Sequence, residues 1–82
     1  MTLKELTQLW SNPNTTVNLT ALRYDSKRKK YYFSRFLGRN RRMDSFNEKI
    51  EPYTMSLEVK SIYTRADTLY IDAIEQIEKE DL

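Results

Sequence analysis

The residues of this chain whose types and spacing could do chemistry crowd into one stretch, Lys27 to Arg42, which reads KRKKYYFSRFLGRNRR. Lysine and arginine neutralise phosphates and release their counterions. Aromatic rings offer faces on which unpaired bases stack. The same side-chain types, arginine and tyrosine above all, anchor protein interfaces. The binding candidates are therefore Lys27, Arg28, Lys29, Lys30, Tyr32, Arg35, Arg39, Arg41 and Arg42. Arg35 stands between Phe33 and Phe36, and Arg39, Arg41 and Arg42 follow Gly38 in what reads as a connection. Residues 27–30 are placed to straddle a phosphate backbone. Against these roles stand the ordinary ones, in which strand aromatics fill a core and basic turns are solvated surface.

Other chemistry is thinly represented. Histidine and cysteine are absent, which removes disulfides, thiol nucleophiles and the usual zinc ligands. It also removes the side chain most used for proton transfer near neutral pH. Serine, threonine and carboxylates are present, but none is spaced as an activated nucleophile or a metal cage. Glu75, Glu78, Glu80 and Asp81 form an acidic cluster, read as a solvated tail over residues 75–82. The chain is expected to be no enzyme and to need no cofactor.

Eighty-two residues make one small domain, and a chain of this length buries only about 60% of its unfolded surface. Any large ligand is then expected on the surface or between subunits. No apolar run approaches the roughly 20 residues of a membrane span. The opening MTLKELTQLW lacks the charged-then-apolar order of a secretory signal, so a cytoplasmic location is expected. Charge is segregated. From Arg23 to Arg42 nine basic residues meet one acid, Asp25, a net of +8, while Met43 to Leu82 holds ten acids and four basic residues, a net of −6. A surface of two signs suits electrostatic docking, including self-association as a homodimer.

These residues must be positioned by short elements. Thr2 and Glu5 have capping-box spacing, and Leu3, Leu6, Leu9 and Trp10 recur at helical spacing, which predicts a helix over 2–10. Trp10 reads as a core or edge anchor. Residues 16–24 alternate as a half-buried strand, 25–30 form a polar turn, and 31–37 form an aromatic second strand. Strict alternation there puts Tyr31, Phe33, Arg35 and Leu37 on one face and Tyr32, Ser34 and Phe36 on the other. Asp44 and Ser45, with Phe46 and Ile50 four apart, predict a second short helix over 44–51, stopped by Pro52. Residues 55–64 and 68–74 read as two more strands across a tight connection at 65–67. Ile62 breaks the parity of Met55, Leu57 and Val59, which a bulge or a one-residue shift would repair. The fold class is α+β: an antiparallel sheet of three or four strands with the N-terminal helix across one face. Its core should hold Leu3, Leu6, Leu9, Val17, Leu19, Leu57, Val59, Leu69 and Ile71.

The opening Met1-Thr2-Leu3-Lys4-Glu5-Leu6, and the closing Leu57-Glu58-Val59-Lys60-Ser61-Ile62-Tyr63 with Thr68-Leu69-Tyr70-Ile71, resemble small accessory proteins of phages and mobile elements of Gram-positive bacteria. The resemblance covers about a third of the chain, at its ends. It implies a protein that acts by binding a host or rival factor, for example to inhibit a defence nuclease, and it supplies no catalytic residue. Docking on such a protein, or on a nucleoprotein, is accordingly the first expectation. Binding of DNA or RNA by the basic aromatic hairpin 27–42 is the alternative. No RNP-type, helix-turn-helix or zinc-finger pattern accompanies the patch, and neither an amphipathic helix nor a lipidation motif supports a membrane role.

Overall fold

Ten alternating residues, TVNLTALRYD, make strand β1 (Thr16–Asp25), around which the rest of the chain is laid. Val17, Leu19 and Ala21 point to one face and are fully buried there. In the computed structural model, which describes residues 1–75, β1 turns at residues 26–29 into β2 (Lys30–Arg42) and pairs with it antiparallel. The chain then crosses the buried face through a 3₁₀ turn (Met43–Ser45) and a short helix α2 (Pro52–Met55), and reaches the far edge as β3 (Glu58–Arg65). Strand β4 (Thr68–Ile74) slots between β3 and β1, giving the order β2-β1-β4-β3. Helix α1 (Leu3–Leu9) lies with the crossover segment on the buried face.

The α+β class and the helix on one face are as expected, but the sheet is mixed. β1 and β4 run parallel, Val17 opposite Leu69 and Ala21 opposite Ala73. A purely antiparallel meander would keep β2 beside β3. The segment 43–57 is instead long enough to carry the chain over the face, and its Met43, Phe46, Met55 and Leu57 are all buried there. The core is thus one layer between the sheet and this crossover. It joins Leu3, Leu6, Val17, Leu19, Leu69, Ile71 and Ala73 to the four crossover residues.

Local departures have local causes. The capping box forms, with the Glu5 N–H donating to Thr2 Oγ1 at 3.2 Å and the Thr2 N–H to Glu5 Oε1 at 2.9 Å. Leu9, expected in the core, is 70% exposed. Residues three apart lag by about 60° per step at 3.6 residues per turn, so a Leu3-Leu6-Leu9 series walks off the face. Val59 is half-buried at the sheet edge. Trp10 is an edge anchor: it packs against the core, and its indole N–H donates to Thr15 Oγ1 at 2.9 Å. Helix 44–51 does not form. Asp44 accepts from Arg42 instead of capping, and Ile50 points to solvent. Pro52 opens α2 rather than stopping a helix, because the first helical turn has no use for the missing N–H. Residues 55–57 belong to α2 and its exit, so β3 starts at Glu58. The irregularity that repairs the parity at Ile62 is present, as a register shift between Val59 and Ser61. The connection to β4 is a two-residue turn with both central residues at positive φ, Ala66 at 50° and Asp67 at 64°, the conformation that matches strand twist in tight hairpins.

Candidate functional site

The covered face ends where β1 and β2 outrun the helices, and the other face of the sheet is not packed by any helix among the described residues. Register tells which side chains it carries. Thr20, Leu22 and Tyr24 point away from the core, and opposite them on β2 stand Phe36, Phe33 and Tyr31. On the other side of β1, Asn18, Thr20 and Leu22 adjoin Tyr70, Asp72 and Ile74 of β4. Beyond those, Tyr63 and Ser61 of β3 adjoin Tyr70 and Asp72.

Six aromatic rings therefore share one bare face. They meet in three pairs: Tyr24 with Tyr31 at 5.0 Å and Phe33 with Phe36 at 5.1 Å, both edge to face, and Tyr63 stacked on Tyr70 at 5.1 Å with 5° between planes. Phe33, Phe36 and Tyr63 are each more than half exposed, at 54%, 51% and 51%. Among the described residues two cations lie over rings of this surface, and Arg65, in register with Tyr63 and Ser61, stands on the same side. The Arg39 guanidinium lies 4.8 Å from the Phe36 centroid, and Lys60 reaches from the opposite edge strand to within 4.8 Å of the Tyr31 centroid. Neither forms an ion pair among the described residues.

The alternation expected for β2 fails at Ser34. The register slips between Ala21 and Leu22, so Phe33 pairs with Leu22 and Phe36 with Thr20. Phe33 and Phe36 share the bare face for that reason, and Arg35 is turned to the other side with Tyr32 and Leu37. Residues 38–42 are not a connection. They continue β2, with Gly38 opposite Leu19 and Arg41 opposite Val17. Gly38 is where the Arg41 side chain crosses, since a Cβ there would lie 2.7 Å from Arg41 Cδ.

The nine candidates are consequently scattered. Lys27, Arg28 and Lys29 form the hairpin turn, held by Asp25, whose carboxylate accepts from the Lys27 and Arg28 N–H groups at 3.0 and 3.3 Å. Arg28 also lies 3.7 Å from that carboxylate. Lys30 and Tyr32 are exposed near the same end, on the side of the sheet that the helices cover further along. Arg41 is half-buried in a forked contact with Glu51 at 2.6 and 2.9 Å, its guanidinium 4.0 Å from the Phe46 centroid. Arg42 bridges Asp44 and Asn14. Of Arg39, Arg41 and Arg42, only Arg39 lies over a ring of the bare face.

Arg35 is also engaged. It meets Glu75 at 2.8 Å, Arg23 meets the other oxygen at 2.9 Å, and Ser34 Oγ donates at 3.3 Å. Glu75 is 3% exposed, which overturns its reading as part of a solvated tail; residues 76–82 of that tail lie outside the described residues. Burial acts to raise the Glu75 pKa, and the hydrogen bonds and charges of Arg23 and Arg35 outweigh it, holding the carboxyl below its ordinary range. Glu51 is likewise lowered, chiefly by its hydrogen bond from Arg41.

Composition drew attention to cations and missed Tyr24, Lys60, Tyr63, Tyr70 and Asp72. A signal existed for the β3–β4 members: a two-residue turn after Arg65 pairs 63 with 70 and 61 with 72 by counting. Among the described residues no group of histidine, cysteine or carboxylate side chains is arranged to hold a metal, and no helix is long and apolar enough to cross a membrane. Compared with known proteins, the chain matches no family model, no curated protein and no solved structure.

Proposed function

We propose that this protein is a non-enzymatic binding protein that holds single-stranded nucleic acid against the uncovered face of its sheet. One observation carries the reading: six rings lie on a face that no described helix covers, with Arg39 and Lys60 perched on two of them. Stacking on such rings tolerates any base and contributes about 1–3 kcal/mol per base. The cations supply phosphate contacts at the margins, and Lys27, Lys29 and Lys30 extend the positive potential at the hairpin end. The test is fluorescence anisotropy with labelled single-stranded DNA and RNA oligomers across a salt series. Binding should weaken with salt at a slope of about −0.7 per phosphate neutralised, and duplexes of the same length should bind less tightly. Equal affinity for duplex and single strand would overturn the reading, as would the absence of binding at low salt.

A protein partner is the second reading, and a specific observation favours it. Arg23, Arg28, Arg35, Arg41 and Arg42, five of the nine basic residues in the 23–42 stretch, are matched to carboxylates. What remains is an aromatic centre with a polar margin, the usual anatomy of a protein interface. On this reading the protein is an accessory factor of a phage or mobile element, docking its bare face on a host or defence protein in the cytoplasm. A nuclease-resistant complex with one purified defence protein, lost on Phe33→Ala with Phe36→Ala, would establish it over the first.

A further inference from the structure

Resting on the nucleic-acid reading, we infer that Asp72 makes the bare face selective for bases that present N–H donors without a flanking pair of carbonyls, guanine above all, over uracil and thymine. Asp72 lies at the centre of the face. It stands on β4 between Thr20 of β1 and Ser61 of β3, and two residues along from Tyr70. It is half-buried, and Ser61 Oγ donates to its Oδ2 at 2.7 Å. No cation pairs with it among the described residues. In this it differs from Glu51 and Glu75, each of which is clasped by arginine. The one hydrogen bond from Ser61 fixes the carboxylate and leaves Oδ1, and a second lone pair on Oδ2, to accept from a ligand.

A carboxylate at the centre of this face would repel a phosphate. It therefore demands a polarity: phosphates towards Arg39 and Lys60, bases inward over the rings. Asp72 stands two residues, roughly 6–7 Å, along the strand from Tyr70, on the side to which the edge of a base stacked beside that ring would reach. There the carboxylate reads what that edge offers. Guanine presents two adjacent donors, its ring N–H and its amino group, which match the two oxygens. Cytosine and adenine present an amino group beside an acceptor. Uracil and thymine present one N–H between two carbonyl oxygens, which the carboxylate repels. Acceptance of base amino groups by aspartate is a general mode of direct readout.

The test uses the full chain and thymine oligomers of about eight nucleotides, with the central base replaced by guanine, cytosine or adenine. A single guanine should tighten binding about tenfold over all-thymine, the low end of what a two-point contact discriminates, with cytosine and adenine between. Asp72→Asn keeps an acceptor for Ser61 and offers both a donor and an acceptor to the base. It should erase the guanine preference while all-thymine binds as well as before or better. Ser61→Ala, which frees the carboxylate to turn, should reduce the preference without reversing it. If the oligomers bind but wild type shows no base preference, or if Asp72→Asn retains it, the inference fails and the binding reading stands. If no oligomer binds, both fail.

Discussion

The two sides of β2 carry similar residues and treat them in opposite ways. On the helix-covered side, Arg35 and Arg41 each meet a carboxylate from another element, Glu75 after β4 and Glu51 in the crossover. On the bare side, Arg39 meets only the face of Phe36 among the described residues. The difference follows from what lies opposite. The crossover and the end of β4 deliver acids to the covered side, and partial burial makes unmatched charge costly there. No described helix covers the bare side, so among the described residues nothing forces its cations and rings to find partners inside the chain. A dense run of positive charge is therefore not one functional patch. Burial sorts it into cations that hold the fold and cations left over for a ligand.

The covered side of β2 depends most heavily on Glu75. Glu75→Ala leaves two guanidinium groups facing a hole, and should destabilise the fold by about 2–3 kcal/mol in urea denaturation; the full cost of splitting a buried pair is about 3–5 kcal/mol, reduced here because both arginines reach water. The pH dependence has a definite sign. The native carboxyl of Glu75 is held below the ordinary value of 4.5, so at neutral pH both states are ionised and the stabilisation is complete. As pH falls below 4.5 the unfolded state takes up the proton first, and stability drops until the native group titrates too. Glu75→Gln should flatten that acid limb. An unchanged acid limb would mean that the cluster contributes nothing.

Arg41→Ala should cost about 1–2 kcal/mol, as a forked, charge-assisted contact and a cation–π contact are lost together. Arg39→Ala should lower the melting temperature by a few degrees at most, because its one contact among the described residues is exposed and worth about 0.5–1 kcal/mol at most. It should instead reduce the salt slope of oligonucleotide binding by about 0.7. The substitution of Arg39, Arg41 and Arg42 together would mix the two effects, and so tests neither. Equal destabilisation by Arg39→Ala and Arg41→Ala would erase the contrast between the faces.

Phe33→Ala and Phe36→Ala test the bare side. Each should weaken oligonucleotide binding about tenfold, the loss of roughly 1–2 kcal/mol of stacking, with a smaller change in stability because both rings are more than half exposed. A large fall in melting temperature with unaltered binding would make the aromatics structural. The smallest effect is expected at the β3–β4 turn. Ala66→Asn with Asp67→Gly suits two positions at positive φ and should add about 0.5–1 kcal/mol, with no change in binding by either face.

Much of the fold is legible in the residues themselves, because local physics dictates it. Thr2 and Glu5 cap a helix wherever that helix lies. The alternation of Val17, Leu19 and Ala21, and of Leu69, Ile71 and Ala73, names the buried side of each central strand. The parity break at Ile62 signals a bulge or a one-residue shift. Strand order is a different kind of fact. That β4 runs parallel to β1 depends on where the segment 43–57 finds apolar surface to cover, and only the assembled core decides that. The candidate site divides in the same way. Its ring and cation types stand in the sequence, but their grouping does not. One bulge at Ser34 turns Phe36 to the side of Phe33 and sends Arg35 to Glu75, and pairing across the β3–β4 turn brings Tyr63 and Asp72 to join them. A one-residue slip reverses every side chain beyond it. Composition therefore establishes that this chain has a basic aromatic segment, and tertiary structure alone determines which of its residues are consumed by the fold and which remain to meet a ligand.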